Sequence, residues 1–115
     1  MSSDYQRAVA LAALADDQAL LVELIGVFLA DVPMRVATLQ AAAEAGDLAT
    51  VAHQAHALKG ECGTLAATVT VGHLRALEMA ARAGDTRAVA EAWTDAIGSV
   101  HALLNDLKAE YDTLA

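Results

Sequence analysis

The chain has 115 residues and a formal net charge of −8; 57% of it is hydrophobic, yet only 3% is aromatic. That length supports a single core, so residues 1–115 read as one domain. The negative charge excludes nucleic acid as a partner, because holding phosphates takes basic patches. With so few aromatic rings, alanine and leucine supply the apolar content, which is the composition of packed helices.

No apolar run approaches a membrane span, since Glu23 and Asp31 interrupt the most apolar stretch, Leu20 to Ala30. The start, Met1-Ser2-Ser3-Asp4, lacks the basic residues of a secretory signal. Cys62 is the sole cysteine, so no internal disulfide forms, which fits a reducing compartment. The expectation is a cytoplasmic monomer with no membrane partner.

In chain order, Ser2 or Ser3 is placed to cap a short helix from about Asp4 to Leu14. Asp16-Asp17 supplies the next cap, before the helical spacing of Leu20, Leu21, Leu24, Val27 and Phe28. Pro33 is expected to stop that helix near Asp31 and to begin another, with Val36, Leu39 and Ala43 inward, ending at Gly46. Ala45-Gly46-Asp47 recurs as Ala83-Gly84-Asp85, each with valine-alanine four residues on. Glycine takes a left-handed helix end there, and aspartate caps the following helix. Two copies are turn chemistry, not a repeat architecture. Short connections of this kind make antiparallel neighbours.

The helix after Gly46 should end around Ala66 to Val69. Thr68-Val69-Thr70-Val71 alternates like a strand but is short and isolated, so it reads as a loop entering a helix that carries Leu74, Leu77 and Ala81 inward. The last helix is the longest: Val89, Trp93, Ala96, Val100, Leu103, Leu107, Tyr111 and Leu114 repeat at fours and threes. The fold class is therefore all-α, an antiparallel up-down four-helix bundle with one or two additional N-terminal helices.

Everything else is arranged about one stretch, Ala55 to Leu65. On a helix at about 100° per residue, Leu48, Val51, Ala55, Leu58, Cys62 and Leu65 form one stripe, opposite His56. Lys59, Gly60 and Gly63 fall within about 60° of His56 on the outer side. Glycine inside a helix costs about 1 kcal/mol relative to alanine. Two glycines beside one histidine therefore suggest that something must come close to that side chain. Only two lysines occur, Lys59 and Lys108, and one of them stands a single turn from His56.

His56-Ala57-Leu58-Lys59-Gly60, then Gly63, then Leu65-Ala66-Ala67, resembles the H-x-x-K-G-x-x-G-x-L-G-A signature of histidine-containing phosphotransfer (HPt) domains of bacterial two-component phosphorelays. Leu77-Glu78 and Ala81-Arg82-Ala83-Gly84-Asp85 are similar to that family's following helix and turn. The resemblance runs from about Asp16 to the C-terminus. Glu61 and Cys62 stand where small residues are usual, Thr64 where asparagine is common, and Ala66 where glycine is common.

The resemblance implies that His56 accepts a phosphoryl group and that Lys59 stabilises its charge. It implies that Gly60, Gly63, Ala52 and His53 let a partner approach. The partners it implies are response-regulator receiver domains and a hybrid sensor histidine kinase. No cofactor is implied on this chain, and Mg²⁺ belongs to the receiver. An ammonium about 5 Å from a dianionic phosphoryl gains roughly 1.5 kcal/mol in water. Glu61, about 140° from His56 by the helical period, opposes this by less than about 1 kcal/mol. No G-x-x-x-x-G-K-[ST] loop is present, so the chain is no ATP kinase.

Two alternatives come from other classes. A degenerate HPt-like domain would bind helices as a scaffold, but it would be expected to have lost His56 or Lys59. A metal-binding bundle would draw on His53, His56, Glu44, Asp47 and Glu61; against it, no Glu-x-x-His pair occurs. His73 and His101 read as surface or edge histidines.

Overall fold

In the computed structural model, which describes residues 3–115, every regular element is a helix. They are α1 (Arg7–Ala13), α2 (Gln18–Ala45), α3 (Leu48–Thr64), α4 (Thr68–Arg82) and α5 (Thr86–Leu114). Each of α2 to α5 packs on its chain neighbour, α5 closes back onto α2, and α1 lies against α2. The expected bundle is present, with one additional N-terminal helix. Its 40 Å long axis is close to the roughly 44 Å that the 29 residues of α5 would span at 1.5 Å each.

The two Ala-Gly-Asp turns work as their sequence predicts. Gly46 and Gly84 hold φ of 72° and 69°, a conformation that costs glycine nothing. Asp47 Oδ1 accepts from Thr50 N, and Asp85 Oδ1 accepts from Ala88 N. Asp17 caps α2 in the same way, accepting from Leu20 N at 3.0 Å. The turn between α3 and α4 has the same geometry without the same chemistry: Ala66 sits at φ 57°, a strain of roughly 1–2 kcal/mol for a residue with a Cβ. A glycine would sit there unstrained.

Several expectations change. Pro33 does not divide a helix; α2 runs through it unbroken. An interior proline forfeits one backbone hydrogen bond and crowds the preceding turn, about 3 kcal/mol. Here Pro33 faces solvent, while Leu21, Ile25, Phe28, Val32, Val36 and Leu39 are buried in one stripe that passes it. Continuous burial outweighs one lost bond. The same stripe leaves Leu20 and Val27 exposed, although their spacing had put them inward.

Thr68 to Val71 is the first turn of α4. Its N-terminus is capped from outside: Asp4 Oδ2 accepts from Val69 N at 2.8 Å, and Asp4 Oδ1 accepts from the buried Thr70 hydroxyl at 3.1 Å.

The N-terminal segment differs as well. α1 begins at Arg7, and its N-cap, Gln6, makes no side-chain cap bond. Ser2 lies outside the described residues. Ser3 turns to α5, where its backbone N–H and hydroxyl both donate to Asp106 Oδ2 at 2.7 Å. The Tyr5 hydroxyl donates to Glu110 at 2.6 Å, and Arg7 Nη2 does so at 2.6 Å. Residues 3–7 thus form a strap across α4 and α5, held by polar groups that would otherwise start α1.

Candidate functional site

α3 divides as its periodicity predicts. Val51, Ala55, Leu58, Cys62 and Leu65 are buried at 1% exposure or less, while the His56 side chain is 61% exposed. Leu48, at the start of the stripe, is half-buried. Burial pushes the Cys62 thiol up to about 12. A Cβ added at Gly60 would meet nothing within 4 Å, and one at Gly63 only Val71 Cγ2 at 3.9 Å. Neither glycine is required by packing inside the bundle, so the space above them is open to solvent.

His53 is exposed, but Ala52 is not: at 5% exposure it lies in the cleft between α3 and α4 that Ala81 and Arg82 also line. It sits about 40° from His56 around the helix, on the side that α4 covers. Ala52 therefore supports the α3–α4 contact and shows only a small surface, at the floor of that cleft.

α4 brings a residue to His56 that the spacing of α3 does not announce. Glu78, 8% exposed as a side chain, places Oε2 3.0 Å from His56 Nδ1. Its Oε1 accepts from Lys59 Nζ at 2.7 Å, and its Oε2 also accepts from Arg82 Nε at 2.9 Å. Lys59, followed by burial and then Arg82, dominates the balance that sets its acidity, and the donors win: the Glu78 carboxyl is held down to about 2. An ionised carboxylate only accepts, so Nδ1 of His56 carries the proton and Nε2 carries the lone pair. Lys59, the expected source of positive charge for the phosphoryl group, is shared with Glu78 and only 22% exposed. The sequence signal that was available is the Glu78–Arg82 spacing of four, which pairs opposite charges on one helix face.

On the other flank, Arg35 of α2 reaches α3. Its Nε donates to Asp31 Oδ2 at 2.8 Å, and one of its terminal nitrogens donates to Gln54 at 3.2 Å. Glu61 Oε1 stands 2.6 Å from the same Nε. His73 is half-buried and lines a groove between the N-terminal strap, α4 and α5, and His101 is exposed, both away from these clusters. Among the described residues, no three His, Cys, Asp or Glu side chains come together as a metal site.

The site is thus an exposed imidazole with a fixed tautomer, two cations within reach, and bare backbone beside it. That is a constellation for receiving an anionic group from a docked macromolecule. The sequence profile of the Hpt domain matches residues 23–114.

The chain belongs to the Hpt domain family.

As an Hpt domain it serves histidine phosphotransfer in phosphorelays, where such domains work with receiver domains and kinases. The fold is similar to that of the histidine-containing phosphotransfer protein B of Pseudomonas aeruginosa PAO1. That crystal structure superposes with a TM-score of 0.83 at 22% identity, covering 96% of each chain. A comparison with curated proteins gives no match. No helix of this Hpt domain is long and apolar enough to cross a membrane among the described residues.

Proposed function

We propose that His56 is the phosphoacceptor, taking a phosphoryl group from the phosphoaspartate of a receiver domain and passing it to another receiver aspartate. The observation that carries this reading is the Glu78 contact to His56 Nδ1, which commits Nε2 as the nucleophile on a side chain that is mostly exposed. In the transfer, the Nε2 lone pair forms a bond to phosphorus as the bond from phosphorus to the aspartyl oxygen breaks. The electron pair of that broken bond stays on the receiver's carboxylate. The proton on Nδ1 remains in place, so the ring becomes cationic as it is phosphorylated, and Glu78 faces that charge.

Such transfer needs positioning and charge stabilisation rather than acid-base chemistry at the phosphorus. Lys59 and Arg82 supply two positive charges against the one negative charge of Glu78. The excess cation favours the incoming dianion, and the Lys59 stem is flexible enough to turn from Glu78 to a phosphoryl oxygen. Gly60 and Gly63 leave room for the receiver's own site, with its Mg²⁺, to close over the imidazole. A hybrid sensor kinase would supply phosphoryl groups through its receiver.

The test is transfer from phosphorylated receiver domains to wild-type protein and to His56→Gln. Label that is acid-labile and alkali-stable in the wild type and absent from His56→Gln is expected. Equal labelling of both proteins would refute the assignment. A scaffold without phosphotransfer would label in neither.

A further inference from the structure

One of the terminal nitrogens of Arg35 is turned to Gln54, while its Nε–H lies between two carboxylates. That proton is aimed at Asp31, and Glu61 Oε1, although only 2.6 Å from the nitrogen, is buried and accepts no hydrogen bond. Burial, and then Asp31, push the Glu61 carboxyl above its ordinary range, while Arg35 pulls the other way. The cluster has one cation for two acids. It is not sealed: the side chains of Asp31 and Glu61 remain 43% and 24% exposed.

Its position gives this imbalance a use. Glu61 directly follows Gly60, and Arg35 contacts both Gln54 and Glu61, which bracket His56 along α3. On α2, Val27 and Met34 lie one turn to either side of Asp31 and are 58% and 72% exposed. The other flank of His56 has the opposite imbalance, two cations on Glu78. A molecule closing over Gly60 therefore meets excess positive charge toward α4, and apolar side chains around excess negative charge toward α2. The positive flank suits the phosphoryl group. The negative flank has no part in the transfer, and a buried acceptor without a donor weakens the α2–α3 seam.

We propose that Glu61, together with Asp31, determines partner specificity by requiring a lysine or arginine on the receiver surface that docks beside Val27 and Met34. A basic side chain facing the exposed edges of Asp31 and Glu61 supplies the missing charge; an acidic one is repelled. Charge complementarity of this kind acts on partner choice and on encounter rate. The inference rests on reading His56 as the phosphoacceptor.

The experiment compares wild type, Glu61→Gln, Glu61→Lys and His56→Gln, each mixed with every phosphorylated receiver domain encoded in the source genome. Glu61→Gln is close to isosteric, so it keeps the test valid if Glu61→Lys unfolds; circular dichroism checks both. For the receiver that wild type prefers, kcat/KM should fall about tenfold in Glu61→Gln and further in Glu61→Lys, mostly through KM. The salt dependence of the wild-type rate should flatten in Glu61→Gln. A Lys→Glu or Arg→Glu change on the docking surface of that receiver should restore transfer to Glu61→Lys. Receiver preference, rates and salt dependence unchanged in Glu61→Gln would overturn the inference while leaving phosphotransfer intact. Failure of every receiver to label the wild type would overturn the phosphoacceptor reading, and the inference with it.

Discussion

Glu78 Oε2 lies 3.0 Å from His56 Nδ1, and the same carboxyl group holds Lys59 Nζ at 2.7 Å and Arg82 Nε at 2.9 Å. One residue of α4 thereby sets the tautomer of the histidine, positions the cation nearest to it and recruits a second. The first prediction follows from that sharing. Glu78→Gln keeps an acceptor for Nδ1 but removes the charge that faces the imidazolium. Transfer should fall about 10- to 100-fold, the equivalent of a charge-assisted hydrogen bond of roughly 1.5–3 kcal/mol. Glu78→Ala should also release the tautomer, seen as a shift of the ring proton toward Nε2 in ¹⁵N NMR. A rate and a tautomer both unchanged in Glu78→Ala would show the contact to be idle.

Lys59 and Arg82 share one anion, so their effects should not be independent. Lys59→Ala is expected to retain about a tenth to a hundredth of the transfer rate, and Arg82→Ala a larger share, because Arg82 is the more exposed at 59%. The double variant should lose more than the product of the two single losses, since each cation partly replaces the other on the phosphoryl group. Initial rates of the four proteins with one receiver decide this. Strict additivity would mean that the two cations act on transfer independently, with neither replacing the other.

Gly60→Leu should fold normally and slow transfer strongly. Open space surrounds its would-be Cβ, and leucine has the better helix propensity by about 0.8 kcal/mol. Thermal unfolding should therefore show equal or higher stability while transfer falls at least tenfold. Gly63→Leu should behave alike, with Val71 yielding slightly. A large loss of stability with normal transfer would return both glycines to a packing role.

Pro33→Ala restores a backbone donor in the middle of α2 at a solvent-facing position. Stability should rise by about 1–3 kcal/mol in chemical denaturation, with phosphotransfer unchanged. A loss of stability would mean that the proline is compensated by local geometry.

Acid should weaken the fold through Glu78 and Glu110, whose carboxyls are held low by Lys59 and Arg7 respectively, each the largest cause. Because folding lowers these acidities, their stabilisation is complete above the ordinary glutamate range near 4.5. For Glu78 it is lost as the pH falls toward about 2. Glu61 is shifted the other way, so its ionised form carries a penalty that protonation relieves as the pH drops through its raised value. Denaturation midpoints between pH 6 and pH 2 should thus decline less steeply in Glu78→Gln than in wild type. Parallel curves would show that the Glu78 cluster adds no net stability.

What the sequence determined by itself is what depends on neighbours along the chain. Helical periodicity separates the Leu58–Cys62–Leu65 stripe from His56. The Gly46-Asp47 and Gly84-Asp85 pairs end and begin helices, because a left-handed φ and a cap are satisfied within four residues. Tertiary structure alone decided the rest. Glu78 is 22 residues from His56, and Ser3 is 103 from Asp106; no local spacing encodes either distance. Ala52 falls on the side that α4 covers, which a helical wheel without its neighbour cannot tell from an open one. Asp31, Arg35 and Glu61 acquire their imbalance only when α2 lies against α3. Pro33 reads as a helix end because its local cost is visible in sequence, about 3 kcal/mol. The gain that overrides it, one buried stripe from Leu21 to Leu39 held against the bundle, exists only once the helices have packed.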